Sequence, residues 1–249
     1  MSEHKFPTEV IDLPSGGKVY PKDSPLAEGK LELKYMTTRE EDILMSENLI
    51  KKGLVIDKLL DSLIVTKGVK QEHLVLGDKN AILVAARILA YGPEYTCEVV
   101  NPNDIEQTIE HTFDLTQCPF KETVEDVDYS DNSFDFETPI GKNKIKFKLL
   151  TGVEEKLIEK DLEQSRKVGY NSEITTRLRY TIIDVDGDNK TETITSFSQN
   201  MLARDSIALR NYIKDISPDI DLTSEIEIGG ETVSVSIPLT VAFFWPQSV

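Results

Sequence analysis

The second half of this sequence repeats the pattern of the first, and that repetition constrains the fold more than any single motif. Leu31, Leu33 and Tyr35 alternate with Lys30, Glu32 and Lys34, the period of two that marks a strand with one buried face. Ile145, Phe147 and Leu149 alternate with Lys144, Lys146 and Lys148 in the same way. Each strand runs into a helix start. Thr37-Thr38-Arg39-Glu40 lies 114 positions before Thr151-Gly152-Val153-Glu154, and in both a Thr precedes a Glu by three residues. The hydroxyl is expected to cap the first turn, and the acids suit the positive end of the helix. Upstream of each strand lies a glycine-containing turn, Leu13-Pro14-Ser15-Gly16-Gly17-Lys18 in one half and Thr138-Pro139-Ile140-Gly141-Lys142 in the other.

The correspondence continues downstream. Residues 78–89 read as a helix capped by Asp78 and stopped by Gly92-Pro93, and residues 203–213 read as a helix stopped by Ser217-Pro218. A hairpin is expected after each stop, residues 95–100 with 112–115 and residues 222–228 with 231–237. Gly229-Gly230 supplies the second turn. Helical stretches at residues 49–65 and 172–183 complete each layer. The expected fold is α+β: two tandem lobes from an internal duplication, each a β-hairpin, a helical layer and a second β-hairpin. The first lobe spans residues 1–120, an acidic linker 121–132, and the second lobe, with an aromatic C-terminal tail, 133–249.

Charge narrows the partners. The chain of 249 residues carries 28 Lys and Arg against 44 Asp and Glu, a formal charge of −16. That field repels phosphate backbones and anionic lipid, so neither nucleic acid nor membrane is expected as a partner. No apolar run reaches the roughly 20 residues of a spanning helix. The opening residues Met1 to Pro7 lack the apolar stretch of a signal peptide, and two cysteines, Cys97 and Cys118, make no disulfide framework. A soluble, cytosolic chain is expected.

Motifs for chemistry are sparse. Gly16-Gly17-Lys18 lacks the upstream Gly and following Ser or Thr of a phosphate loop. His4, His73 and His111 share no motif. Asp184-Val185-Asp186-Gly187-Asp188-Asn189 alternates acids like a calcium loop, but Asn189 stands at the glycine position and Thr195 at the bidentate glutamate position. It reads as a polar turn. Cys97, Cys118 and His111 could be three zinc ligands, but no paired C-x-x-C spacing supports this, and free thiols are the default. No catalytic, cofactor-binding or metal-binding residue is assigned, no cofactor is expected, and the chain is expected not to be an enzyme. The aromatic run Phe243, Phe244 and Trp245 must be buried by something: either it folds back on the second lobe or it docks on a partner, and these three residues are the candidate partner-binding surface.

These same segments resemble a known family. Residues 13–21, the strand and helix start at residues 31–44, the pairing of Tyr91-Gly92-Pro93-Glu94-Tyr95 with residues 111–115, and the closing Phe243-Phe244-Trp245-Pro246 are together similar to the baseplate proteins of T-even-like contractile-tailed phages. The resemblance covers nearly the whole chain. Many members carry a small zinc ribbon in the hairpin after the Gly-Pro-Glu-Tyr-like stop. The C-P-x-C turn expected there corresponds here to Asn101-Pro102-Asn103-Asp104, so the resemblance implies a retained hairpin without metal, held by apolar cross-strand pairs such as Val99 with Phe113. It also implies a part in building the central hub of a phage baseplate in the host cytoplasm, by binding another hub or tail protein. Two modes stand open, an assembly factor that leaves and a permanent virion subunit. A metal-binding or enzymatic regulator is the remaining alternative.

Overall fold

Alternating residues do build strands buried on one face. The computed structural model describes residues 6–245 apart from 103, 168, 170 and 229. Strand β1 (Thr8–Asp12) pairs antiparallel with β2 (Lys30–Lys34), placing Glu9 opposite Leu33 and Ile11 opposite Leu31. Leu31 and Leu33 are buried, while β1 faces solvent along most of its length. The loop between them folds tightly at Gly17, whose φ is +79°; a β-carbon there would stand 2.4 Å from the Ala27 carbonyl oxygen. Only glycine fits.

Three helices follow: α1 (Thr38–Leu44), α2 (Glu47–Lys51) and α3 (Val55–Leu63). After α3, Ile64 forms an antiparallel bridge to Leu33. Then come α4 (Leu76–Tyr91) and a long hairpin, β3 (Glu94–Asn101) with β4 (Asp104–Asp114). Beyond a two-residue strand, β5 (Phe120–Lys121), the second half opens with β6 (Phe134–Glu137) and β7 (Lys144–Phe147). Helices α5 (Gly152–Lys167) and α6 (Glu173–Thr181) follow. Strand β8 (Ile182–Val185) then pairs with β7, as Ile64 pairs with β2. Helices α7 (Thr191–Asn200) and α8 (Ala203–Ile216), a short β9 (Asp219–Ile220), and the hairpin β10 (Thr223–Ile228) with β11 (Glu231–Ser236) complete the order. The architecture is α+β with several small antiparallel sheets. Each half follows the same order of hairpin, helices and hairpin. Of the expected Gly229-Gly230 turn, Gly229 lies outside the described residues.

Equivalent positions make the same bonds. The Glu40 carboxylate accepts from the Thr37 N–H at 2.9 Å and its hydroxyl at 2.6 Å, and Lys34 approaches it at 2.8 Å. Glu154 accepts from the Thr151 N–H at 2.9 Å and its hydroxyl at 2.5 Å, with Lys148 at 2.6 Å. Thr37 and Glu40 form the expected capping box, and in both halves the threonine hydroxyl also donates to the glutamate. Asp78 and Asp205, 127 positions apart, both take backbone N–H groups from the glycine-containing turn upstream. Asp78 accepts from Ser15 N at 2.9 Å, and Asp205 from Ile140 N at 2.8 Å and Gly141 N at 2.9 Å. Asp78 was expected to cap its helix. Because Leu76 and Gly77 are already helical, it sits on the third residue of α4, turned inward to hold the loop.

One apolar core runs through both halves, taking in Leu33, Leu60 and Ile82 from the first and Phe147, Leu209 and Phe244 from the second. The halves meet where Val75 bridges Thr151 and where Gly77 of α4 faces Pro218 so closely that a β-carbon would lie 1.9 Å from the Pro218 carbonyl oxygen. Lys156 of α5 reaches Glu72 at 2.7 Å across the same junction. Residues 121–132, expected as a solvated linker, are acidic and partly exposed, but both ends are tied down. Phe120 and Lys121 of β5 pair with Ile220 and Asp219 of β9. Tyr129 is buried, donates its hydroxyl to the Ile216 carbonyl at 2.7 Å and packs edge-on against Phe134. An aromatic ring excluded from water outweighs the solvation of its acidic neighbours.

Candidate functional site

The aromatic tail is the first place to look for a docking surface. A single 3-10 turn, Val241–Phe244, carries it back onto the body. Phe243 and Phe244 are each 1% exposed; Phe243 meets Tyr95 edge-on with ring centroids 4.8 Å apart. The buried Arg87 of α4 fixes this turn. Its Nε donates to the Phe243 carbonyl at 3.0 Å, and its other nitrogens reach the Gly92 carbonyl at 3.3 Å and the Glu94 carbonyl at 3.4 Å. Burial pulls the guanidinium pKa down, and the carbonyls and the rings of Tyr91 and Tyr95 supply negative partial charge in place of a carboxylate. Two of the three proposed anchors are thus core residues, because their rings fill space between the halves. Trp245 remains 46% exposed. Pro246 lies outside the described residues.

The β3–β4 hairpin places Cys97 directly opposite His111. Burial pushes the Cys97 thiol up, the thiol is nearly covered, and the His111 ring packs edge-on against Phe113 at 4.7 Å. Cys118 lies beyond β4, in the loop that leads to β5. Among the described residues no three His, Cys, Asp or Glu side chains converge as metal ligands. The expected pairing of Val99 with Phe113 is corrected: Tyr95 faces Phe113, and Val99 faces Ile109. The hairpin is longer than its hydrophobic alternation suggested, which shifts the register. At its tip Asn101 lies opposite Asp104, and Asn103 is outside the described residues. His4 lies there too, while His73 accepts the Lys70 N–H at its Nδ1. The acids of residues 184–188 are each spent on the turn. Asp184 accepts from Gly187 N, Asp186 from Lys144 N and Asn143, and Asp188 from Lys190 N and Thr193.

Sequence reading missed the surface of α8. Between α6 and α8 lies an open groove of about 360 Å³, lined by Leu150, Ile174, Leu178 and Ile213 and edged by Arg210, Thr181 and Glu173, with Arg177 there already paired to Glu155 and Glu173. Ile174 is 51% exposed and Ile207, one turn along α8, is 49% exposed. Arg204, Ile207, Arg210 and Lys214 share one helical face, since steps of three and four residues return to the same side. A solvated helix face normally mixes charges. At these four positions it carries three cations and no acid, with the exposed Asp215 at one flank.

The chain is α+β, its two halves run in a similar order of elements, and a face with cationic and apolar side chains is exposed on α8. The family described as T4 bacteriophage base plate protein matches residues 5–135, just over half of the 249 residues, and the chain belongs to that family. Membership gives it a structural or assembly role at a phage baseplate, together with other baseplate or tail proteins. The match ends as β6 begins, so the resemblance expected over nearly the whole chain holds for the first half and the segment after it. The closing aromatic motif lies beyond the match. No curated protein and no solved structure matches the chain.

Proposed function

We propose that this protein is a non-enzymatic assembly factor for the central hub of the baseplate, acting in the cytoplasm of the infected cell by binding another hub or tail protein. The observation that carries the reading is the family match over residues 5–135. The physical character of the surface supports it. A charge of −16 opposes self-association and keeps the free protein dispersed, while the α6–α8 groove and Trp245 leave apolar area for a partner. The Trp245 ring is half exposed and leaves a face free for an interface, where tryptophan is enriched.

The experiment is affinity purification of tagged protein from infected cells, with mass spectrometry of what is retained, alongside its copy number in purified tails. Recovery of a hub or tail protein, with the tagged chain missing from finished tails, is the expected result. Stoichiometric copies in the tail would make it a permanent subunit instead. Failure to recover any tail component would remove the reading.

A further inference from the structure

The inner face of one half shows what the outer face of the other is built to hold. Helices α4 and α8 are equivalent by their inward Asp78 and Asp205, and at that spacing Gly77, Asn80, Leu83 and Arg87 correspond to Arg204, Ile207, Arg210 and Lys214. On α4 the stripe is covered by the second half. Gly77 abuts Pro218, Asn80 donates to Asp219 at 3.1 Å, Leu83 is 8% exposed, and Arg87 donates to the Phe243 carbonyl. The cover is an extended Pro-Asp segment with an aromatic turn behind it. On α8 the same stripe is bare. Val75, ahead of α4, is 3% exposed, while its counterpart Leu202 is 50% exposed.

Resting on the reading that this protein binds another baseplate component, we propose that the bare face of α8 is the docking site. Its occupant is an extended acidic segment of a different protein, carrying an apolar side chain to seat on Ile207 and in the Leu150–Leu178–Ile213 groove. Charge fixes the sign of the occupant. Among the described residues none of Arg204, Arg210 and Lys214 has an ion-pair partner; Arg210 donates only to the Ser206 carbonyl of its own helix. At physiological ionic strength the Debye length is about 8 Å, so a segment lying on α8 senses these cations and little of the distant acidic surface. A second copy of the chain is disfavoured. Arg204 stands where Gly77 permits close contact, and two bodies of −16 repel.

The test places a benzoylphenylalanine photocrosslinker at position 207, with a control at Met45, which is 73% exposed on the first half. Crosslinking is done in infected cells, and the joined peptides are sequenced by mass spectrometry. The expected adduct at 207 is a net-acidic segment of a baseplate or tail protein containing an apolar residue. The double variant Arg204→Glu with Arg210→Glu should lower its yield at least tenfold while leaving the melting temperature unchanged. An adduct with a second copy, an equal adduct in the charge-reversed variant, or capture at 45 but not 207 would overturn the site. If the affinity purification still recovers a tail protein while 207 stays silent, the docking face alone is wrong. If no tail protein is recovered either, the assembly reading falls with it.

Discussion

The buried carboxylate of Glu40 offers a direct measure of how strongly each half is stapled. Its side chain is fully buried, and its oxygens receive the ammonium of Lys34 at 2.8 Å, the Ser62 hydroxyl at 2.6 Å, and both the N–H and hydroxyl of Thr37. Burial pushes this carboxyl up, but the bonds from Lys34, Ser62 and Thr37 outweigh it and bring it down to about 2. Against its ordinary 4.5, that lowering corresponds to roughly 3 kcal/mol favouring the folded state. The sign follows from a folded pKa below the unfolded one. The contribution is complete well above pH 4.5 and disappears as pH falls toward 2, with about half left near pH 3. Glu40→Gln keeps the shape and removes the charge. Urea unfolding should show the variant roughly 3 kcal/mol less stable at pH 7, with the gap halved near pH 3. Glu154→Gln is the internal comparison: its carboxyl is also lowered, with burial opposing and Lys148 and Thr151 prevailing, but its side chain is 16% and that of Lys148 30% exposed. It should lose less, in the same direction. A gap for Glu40→Gln that stays constant from pH 7 to 3, or that falls below about 1 kcal/mol at pH 7, would refute the reasoning.

Other expectations are as definite. Gly77→Ala, which on an exposed helix would stabilise by up to about 1 kcal/mol, should instead cost 1–3 kcal/mol or more in urea melts, because its methyl collides with the Pro218 carbonyl. Phe243→Ala should cost about 3–5 kcal/mol, whereas Trp245→Ala, at a half-exposed ring, should cost about 1–2 kcal/mol while weakening retention of any tail protein in the affinity experiment. Truncation after Leu239 should accordingly lower the melting temperature as well as binding, since it removes two core rings. With a thiol reagent at neutral pH, Cys118 should react before the more deeply buried Cys97. Both should be slow, because burial raises each thiol above its ordinary pKa.

Local chemistry carried much of this fold in the sequence. The alternation at residues 30–34 and 144–147, the Thr-x-x-Glu starts and the helix stops at Gly92-Pro93 and Ser217-Pro218 all lie within a few residues of the structure they specify. What escaped was long-range. Nothing near Phe120 announces that it pairs with Ile220, a contact of two residues with no periodicity to read. Tyr129 was the one aromatic in an acidic run, a signal too small to reveal that the segment is anchored. Asp78 read as a helix cap and Arg87 carried no signal of its own, although both are buried and bind segments far away in sequence. The aromatic tail was legible as something needing cover, but which rings face inward depends on the body they meet. The α8 stripe was invisible for a different reason. Cations at that spacing resemble any solvated helix, and it stands out only beside the covered stripe of α4.

The contact between Gly77 and Pro218 has a bearing on how the chain is made. Helix α4 emerges from the ribosome early, yet the segments that cover it, Pro218–Asp219 and the turn at Phe243, are translated more than a hundred residues later. Until then the nascent amino-terminal portion carries an unshielded apolar flank, a hazard for aggregation and a natural client for cellular chaperones. Final consolidation of α4 therefore waits until the codons around Phe243 have been read, and a premature stop ahead of them should leave product that host proteases remove.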